Sequence, residues 1–95
     1  MEYILNFNLT LEDLEALKNK MSEEDLKKFE LFPRIVKENF AYLNNMNISN
    51  MKDVFVNHYS MFLMNPDRFK AIFIKYDQAD LVRCIEKNHN VIEKL

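Results

Sequence analysis

The sequence predicts a small all-α domain, because helix-start signals recur along it and because it contains no glycine. Its 95 residues, of which 48% are hydrophobic and 29% charged, suit a single globular domain. Strand-rich folds need glycine for tight hairpins and bulges, so its absence favours helices joined by Asn, Ser and Pro turns. We therefore expect a compact bundle or solenoid fragment of short helical hairpins, preceded by an extended amino-terminal arm.

The extended arm is predicted over residues 1–9. Apolar Tyr3, Leu5, Phe7 and Leu9 alternate with mostly polar residues, which is the period of two that a strand shows. No later segment offers an obvious partner strand. The arm is therefore expected to lie over the protein's own helices, or to pair with another copy or another protein.

Helix-start signals recur at short intervals after the arm. "TLED" and "SEED" each place an acidic residue three positions after a Thr or Ser cap, and "NPDR" places proline at a first helical position. The expected caps or first helical residues are Thr10, Ser22, Pro33, Ser49, Asn65 with Pro66, and Asp77. The first helix is thus expected over residues 10–21.

An imperfect internal repeat is predicted for the rest of the chain. "LKKFELFPRIV", "MKDVFVNHYSM" and "VRCIEKNHNVI" share one pattern: apolar, two residues, apolar, three residues, Pro or His, two residues, apolar. Pro33, His58 and His89 occupy the same place, which is a break between a short helix and the next segment of the chain. The predicted repeats are residues 22–48, 49–76 and 77–95.

These segments resemble the helical repeat of the mitochondrial transcription termination factor family. The likeness lies in an apolar pair, a helix break and further apolar positions, and it covers about residues 25–95. It is carried best by "LKKFELFPRIVKENFAYLNNMNIS". The resemblance implies stacked helical hairpins and nucleic-acid binding. His58 and His89 stand where that family has proline, and two to three units are fewer than its nucleic-acid-binding members contain.

No motif predicts catalysis, a cofactor or a metal site. Zinc-ligand spacings such as CxxC and HExxH are missing, and a phosphate-binding loop needs glycine. A zinc site of His58, His89, Cys84 and an acid is the alternative to histidines that serve only as structural residues at helix breaks. Cys84 lies in an amphipathic pattern and is expected to be a buried, inert thiol.

The same features predict where the protein resides and what it does not bind. A single cysteine excludes an intramolecular disulfide and suits a reducing compartment, so we expect a cytoplasmic protein. The apolar runs are too short for a membrane span. No small-molecule substrate is evident.

The segment from Tyr59 to Met64 is the strongest candidate for a binding surface. Its apolar side chains are nearly contiguous, so one helical face cannot bury them all. Either neighbouring helices enclose this segment, or it lines a groove for a partner helix. With the arm included, the candidate protein-interface residues are Tyr3, Leu5, Phe7, Tyr59, Met61, Phe62 and Met64. A non-catalytic module that binds a protein or self-associates is the favoured function.

Nucleic-acid binding is the alternative function. The net charge is −2, yet the middle of the chain carries an excess of basic residues. These candidate nucleic-acid contacts are Arg34, Lys37, Lys52, Arg68, Lys70 and Lys75. Two of the helix starts carry arginine and could contact phosphates; the opposing interpretation is an ordinary solvated polar face.

Overall fold

The computed structural model describes residues 1–95, and the chain is helical throughout, with no strand. The six α-helices are α1 (Leu11–Lys20), α2 (Glu23–Leu31), α3 (Pro33–Asn44), α4 (Met51–Asn57), α5 (Pro66–Ile74) and α6 (Gln78–Lys87). The first, second and third 3₁₀-helices are Glu2–Phe7, Tyr59–Leu63 and His89–Lys94. The radius of gyration, 12.8 Å, is close to the roughly 12.4 Å expected of a globular domain of this length. The predicted all-α class and compactness are confirmed. None of the helices is both long and apolar enough to cross a membrane.

Four of the predicted helix caps are made by side chains. Thr10 and Asp13 form a capping box: the Asp13 N–H donates to Thr10 Oγ1 at 3.1 Å, and the Thr10 N–H donates to Asp13 Oδ2 at 2.9 Å. Ser22, Asn65 and Asp77 each accept a backbone N–H at the start of α2, α5 and α6. The N–H groups of a first turn have no carbonyl partner within the helix, and these side chains accept from them. Cap and N–H lie within three residues of each other, so a short sequence pattern predicts the contact.

The predicted cap of α4 is wrong by one residue. The helix begins after Asn50, not Ser49, and Asn50 makes no side-chain cap. Both residues bond to α6 instead. The Ser49 N–H donates to Glu86 Oε2 at 2.7 Å, and Asn50 Nδ2 donates to the carbonyl of Ile85 at 2.9 Å.

The amino-terminal segment is not an extended arm. It forms the first 3₁₀-helix, in which Ile4 and Phe7, three residues and one turn apart, are both buried. The Tyr3 hydroxyl donates to the carbonyl of Phe29 at 2.7 Å and ties this helix to α2. The helix ends at Asn8, which takes a left-handed φ of 63°. The prediction from alternation is wrong because the side chains that residues 1–9 bury against the α-helices, such as Ile4 and Phe7, are three residues apart and not two.

A row of phenylalanine rings forms the centre of the core. Phe7 stacks on Phe40 with ring centroids 3.9 Å apart. The row then continues through four fully or almost fully buried rings, Phe55, Phe62, Phe69 and Phe73, in steps of 5.6, 4.9, 5.3 and 5.0 Å. It runs from the first 3₁₀-helix to α5, so one continuous core holds most of the elements together.

Each predicted break lies at or beside an observed helix boundary. Pro33 is the first residue of α3, His58 separates α4 from the second 3₁₀-helix, and His89 begins the third 3₁₀-helix. The helices after the three breaks differ: the first has twelve α-helical residues, and the others have five and six 3₁₀-helical residues. The division into repeats 22–48, 49–76 and 77–95 therefore stays a prediction.

Candidate functional site

Two of the predicted interface residues belong to the core. Phe7 is 8% exposed and Phe62 is fully buried, because both lie in the row of rings. Their burial gives a partner little or none of either side chain to contact, and their assignment to an interface stays a prediction. Tyr3, Leu5, Tyr59, Met61 and Met64 are half-buried and pack against the core.

The backbone of the segment from Tyr59 to Met64 is bonded to α3. Asn39, fully buried on α3, donates through Nδ2 to the carbonyls of Phe62 at 2.9 Å and Met64 at 2.8 Å. Its Oδ1 has no hydrogen-bond partner. The two bonds hold the second 3₁₀-helix against α3, which favours enclosure over an open groove at this segment. Sequence reasoning missed Asn39; the signal was a polar residue between Val36, Phe40 and Leu43 on the apolar face of α3.

The basic residues are spread over three helices, and most of them have local partners. Lys52 pairs with Asp13 at 3.0 Å. The hydrogen bond from the Thr10 N–H, and to a smaller extent the contact with Lys52, hold the pKa of Asp13 below its usual range. Lys37, Lys70 and Lys75 lie over tyrosine rings, with each Nζ 5.4–5.9 Å from the ring centroid.

Arg34 and Arg68 are exposed and form no ion pair within the protein. They are the members of the basic set most available to a phosphate.

The two histidines are in direct contact. His58 is 4% exposed, and its Nε2 lies 3.0 Å from Nδ1 of His89. On the other side of the ring, His58 Nδ1 lies 3.1 Å from Glu93 Oε2, off the direction of a good hydrogen bond. Sequence analysis placed both histidines at breaks but did not predict this contact, because it depends on how α4 packs against the third 3₁₀-helix.

Burial lowers the pKa of His58, because it removes water from the charged form. The Glu93 carboxylate opposes this effect, whereas the His89 ring and the Lys20 ammonium lower the pKa further. Lys20 is near because its Nζ donates to Asn57 Oδ1 at 3.2 Å. The lowered pKa favours the neutral form of His58.

No group of three His, Cys, Asp or Glu side chains is placed to hold a metal ion. The histidine pair supplies two nitrogens, whereas a structural zinc ion takes four ligands. Cys84 is exposed, so the prediction of a buried thiol is wrong. It lies on the solvent side of α6, while Leu81 and Ile85 point into the core.

One apolar cavity, partly open to solvent, lies beside α6; we call it the α6 groove. Its volume is about 190 Å³. It is lined by Tyr76, Asp77, Asp80, Leu81, Cys84, Val91 and Leu95. One wall comes from α6 and the other includes the third 3₁₀-helix. Sequence reasoning missed this groove, since the pattern of residues 77–95 is that of an ordinary amphipathic helix and its tail.

No protein-family model, curated protein or solved structure matches this chain. The likeness to the mitochondrial transcription termination factor repeat therefore stays a prediction from the sequence.

Proposed function

We propose that this chain is a non-catalytic protein-binding module that seats a bulky apolar side chain of a partner peptide in the α6 groove. The observation that carries the proposal is the groove itself, the one cavity of the fold, whose lining is mostly apolar. An enclosed apolar cavity of ~150 Å³ is enough to bind benzene. A groove of about 190 Å³ therefore has room for one aromatic or branched aliphatic side chain.

The charges at the groove indicate the chemistry of the partner. Asp77 and Asp80 are its two charged lining residues, and both are exposed. Asp80 pairs with Arg83, whereas no cation pairs with Asp77. A Lys or Arg of the peptide, next to the apolar residue that enters the groove (the anchor), would pair with a carboxylate at the edge of the groove. The expected partner is therefore a basic peptide segment with one bulky apolar residue. A cytoplasmic location belongs to the same proposal.

Burying one large apolar side chain contributes about 1.5–3 kcal/mol. Removal of the anchor from the peptide should therefore weaken binding by about 10- to 150-fold. Such a module would bind reversibly and would need further contacts around the groove for tight binding.

The test starts with selection from a random 12-residue peptide library on the immobilised protein. The selected peptides should share a bulky apolar residue beside Lys or Arg. Their affinity for Cys84→Arg, measured by isothermal titration calorimetry, should fall at least about tenfold, because the new side chain fills the groove and repels the basic residue. Leu31→Arg is the matched control: Leu31 is 64% exposed on α2, outside the groove, so binding should be unchanged.

Alkylation of Cys84 gives a second readout that needs no variant. A peptide seated in the groove covers this exposed thiol and should slow its reaction with iodoacetamide. Unchanged alkylation at saturating peptide, or equal affinity for Cys84→Arg and wild type, would contradict the proposal. Light scattering separates a second copy of this chain, as occupant of the groove, from a different protein.

Nucleic-acid binding is kept as the alternative because Arg34 and Arg68 are exposed without ion-pair partners. Duplex DNA and RNA titrated at two salt concentrations test it. Affinity that falls steeply with salt and disappears in the Arg34→Glu/Arg68→Glu double variant would support it. No binding at low salt would exclude it.

A further inference from the structure

The third 3₁₀-helix is attached to α4 through the two histidines. His58 ends α4 and His89 begins the third 3₁₀-helix, with 3.0 Å between the facing nitrogens. The ring centroids are 5.2 Å apart, and the ring planes are inclined by 61°. Ile92, in the same helix, is 1% exposed and anchors it in the core.

Only one proton fits between the two facing nitrogens. Glu93, beside His58 Nδ1, favours the form in which that nitrogen carries the proton of the neutral ring. His58 Nε2 is then the acceptor, and His89 Nδ1–H is the donor. A proton taken from solvent onto His58 Nε2 would point at the His89 N–H, so the bond between the rings would break.

The charged groups around His58 do little to accommodate that second proton. Glu93, on the third 3₁₀-helix, is its one anionic neighbour, and the side chain of Glu93 is 65% exposed, so water weakens the attraction. Lys20 of α1 adds a positive charge from the other side. Tyr59 of the second 3₁₀-helix is neutral and donates to the carbonyl of Lys20 at 3.5 Å.

We propose that the His58–His89 pair is a latch, released by acid, that holds the third 3₁₀-helix closed and so keeps the second wall of the α6 groove in place. Val91 and Leu95, which line the groove, lie on or beside this helix. Release of the helix dismantles that wall, so acid favours an open form without a complete groove. The effect on binding rests on the proposed function, whereas release of the helix does not.

The sign of the pH dependence is set by the burial of His58. Burial lowers its pKa below the ordinary value of 6.5 in the closed form, and release returns the ring to water. The open form therefore binds the proton more tightly, and its population rises as the pH falls below about 6.5. Uptake of one proton changes the opening equilibrium by at most about tenfold per pH unit.

The experiment is a pH titration, from about pH 7.5 to about pH 5, of the isoleucine side-chain methyl signals by NMR. Ile92 should move towards its unfolded shift as the pH falls, and Ile4, fully buried in the first 3₁₀-helix, should not. His89→Gln replaces the ring by an amide whose carbonyl can accept a hydrogen bond from protonated His58 Nε2, so the contact survives acid and the movement of Ile92 should be smaller than in wild type. Glu93→Gln removes the carboxylate that opposes release, so the same movement should be larger at the acid end of the titration.

Two results would overturn the latch: an Ile92 signal that moves no more than that of Ile4, or one that moves equally in His89→Gln and wild type. Both use the free protein and are independent of any partner. A selected peptide measured across the same pH range then separates the two proposals. If Ile92 is released but no peptide binds the groove at neutral pH, the latch stands and the proposed function fails.

Discussion

Asn39→Leu is the substitution that best separates hydrogen bonding from burial in this core. The two side chains have the same number of heavy atoms, so the change removes donors without opening a cavity. Asn39 is fully buried and donates to the carbonyls of Phe62 and Met64. If burial alone decided stability, leucine at this position would be more stable than asparagine by about 1.5–3 kcal/mol.

The hydrogen bonds predict the opposite sign. Loss of both donors leaves two carbonyls short of a partner, at about 1–3 kcal/mol each. The gain in apolar burial and the removal of the unpaired Asn39 Oδ1 offset part of this loss. The free energy of unfolding should therefore fall by about 2 kcal/mol, which lowers Tm by about 8–16 °C for a domain of this size.

Urea unfolding monitored by circular dichroism measures the change, with Glu38→Ala as the control. Glu38 is the exposed neighbour of Asn39 on the same helix, and its replacement should change stability by less than about 0.5 kcal/mol. An Asn39→Leu protein as stable as wild type, or more stable, would refute the view that Asn39 holds the second 3₁₀-helix against α3.

Three further predictions concern caps, pH and charge. Thr10→Ala should lower the free energy of unfolding by about 1 kcal/mol in urea titrations, since it removes half of the capping box, whereas Thr10→Ser should not. The bond from the Ser49 N–H holds the pKa of Glu86 below its ordinary value of 4.5. Glu86→Gln should therefore be less stable than wild type near neutral pH, and the difference should shrink as the pH falls through and below that value. A difference that does not depend on pH in parallel urea titrations would contradict this. Arg34→Glu/Arg68→Glu should leave binding of the selected peptides by the α6 groove unchanged in calorimetry, because neither arginine lines it.

Local chemistry explains which parts of the fold the sequence could predict. The caps at Thr10, Ser22, Asn65 and Asp77 depend on residues within one turn, so a short pattern contains the whole interaction. Ser49 is not the cap because α4 begins after Asn50, and the Ser49 N–H donates instead to Glu86, which is 37 residues away in the sequence. Caps that compete with tertiary contacts are not visible in a local pattern.

The amino-terminal segment shows the limit of hydrophobic periodicity. Over residues 1–9, alternation selects Tyr3, Leu5, Phe7 and Leu9, whereas a three-residue period selects Met1, Ile4 and Phe7. Ile4 is an apolar residue that breaks the alternation in the sequence. In the structure it is buried together with Phe7, as the three-residue period of a 3₁₀-helix requires. The 3₁₀ conformation is accompanied by packing on α1 and α3 and by the bond from Tyr3 to the Phe29 carbonyl, none of which a local pattern contains.

The candidate site was the least predictable part of the molecule. The apolar run from Tyr59 to Met64 attracted attention, yet Phe62 completes the core and Asn39 covers the backbone beside it. The α6 groove is formed by residues up to 19 positions apart, from Tyr76 to Leu95, and no local pattern marks it. The same holds for the two histidines, which meet across 31 residues.

Chemical-shift mapping with a selected peptide tests the central claim most directly. The ¹⁵N-labelled protein at neutral pH should show its largest amide shifts between Tyr76 and Leu95, around the α6 groove, and Cys84→Arg should abolish them. Shifts centred on Tyr59–Met64 or on the starts of α3 and α5 would contradict the account. Such a result would place the binding surface where the sequence first suggested it.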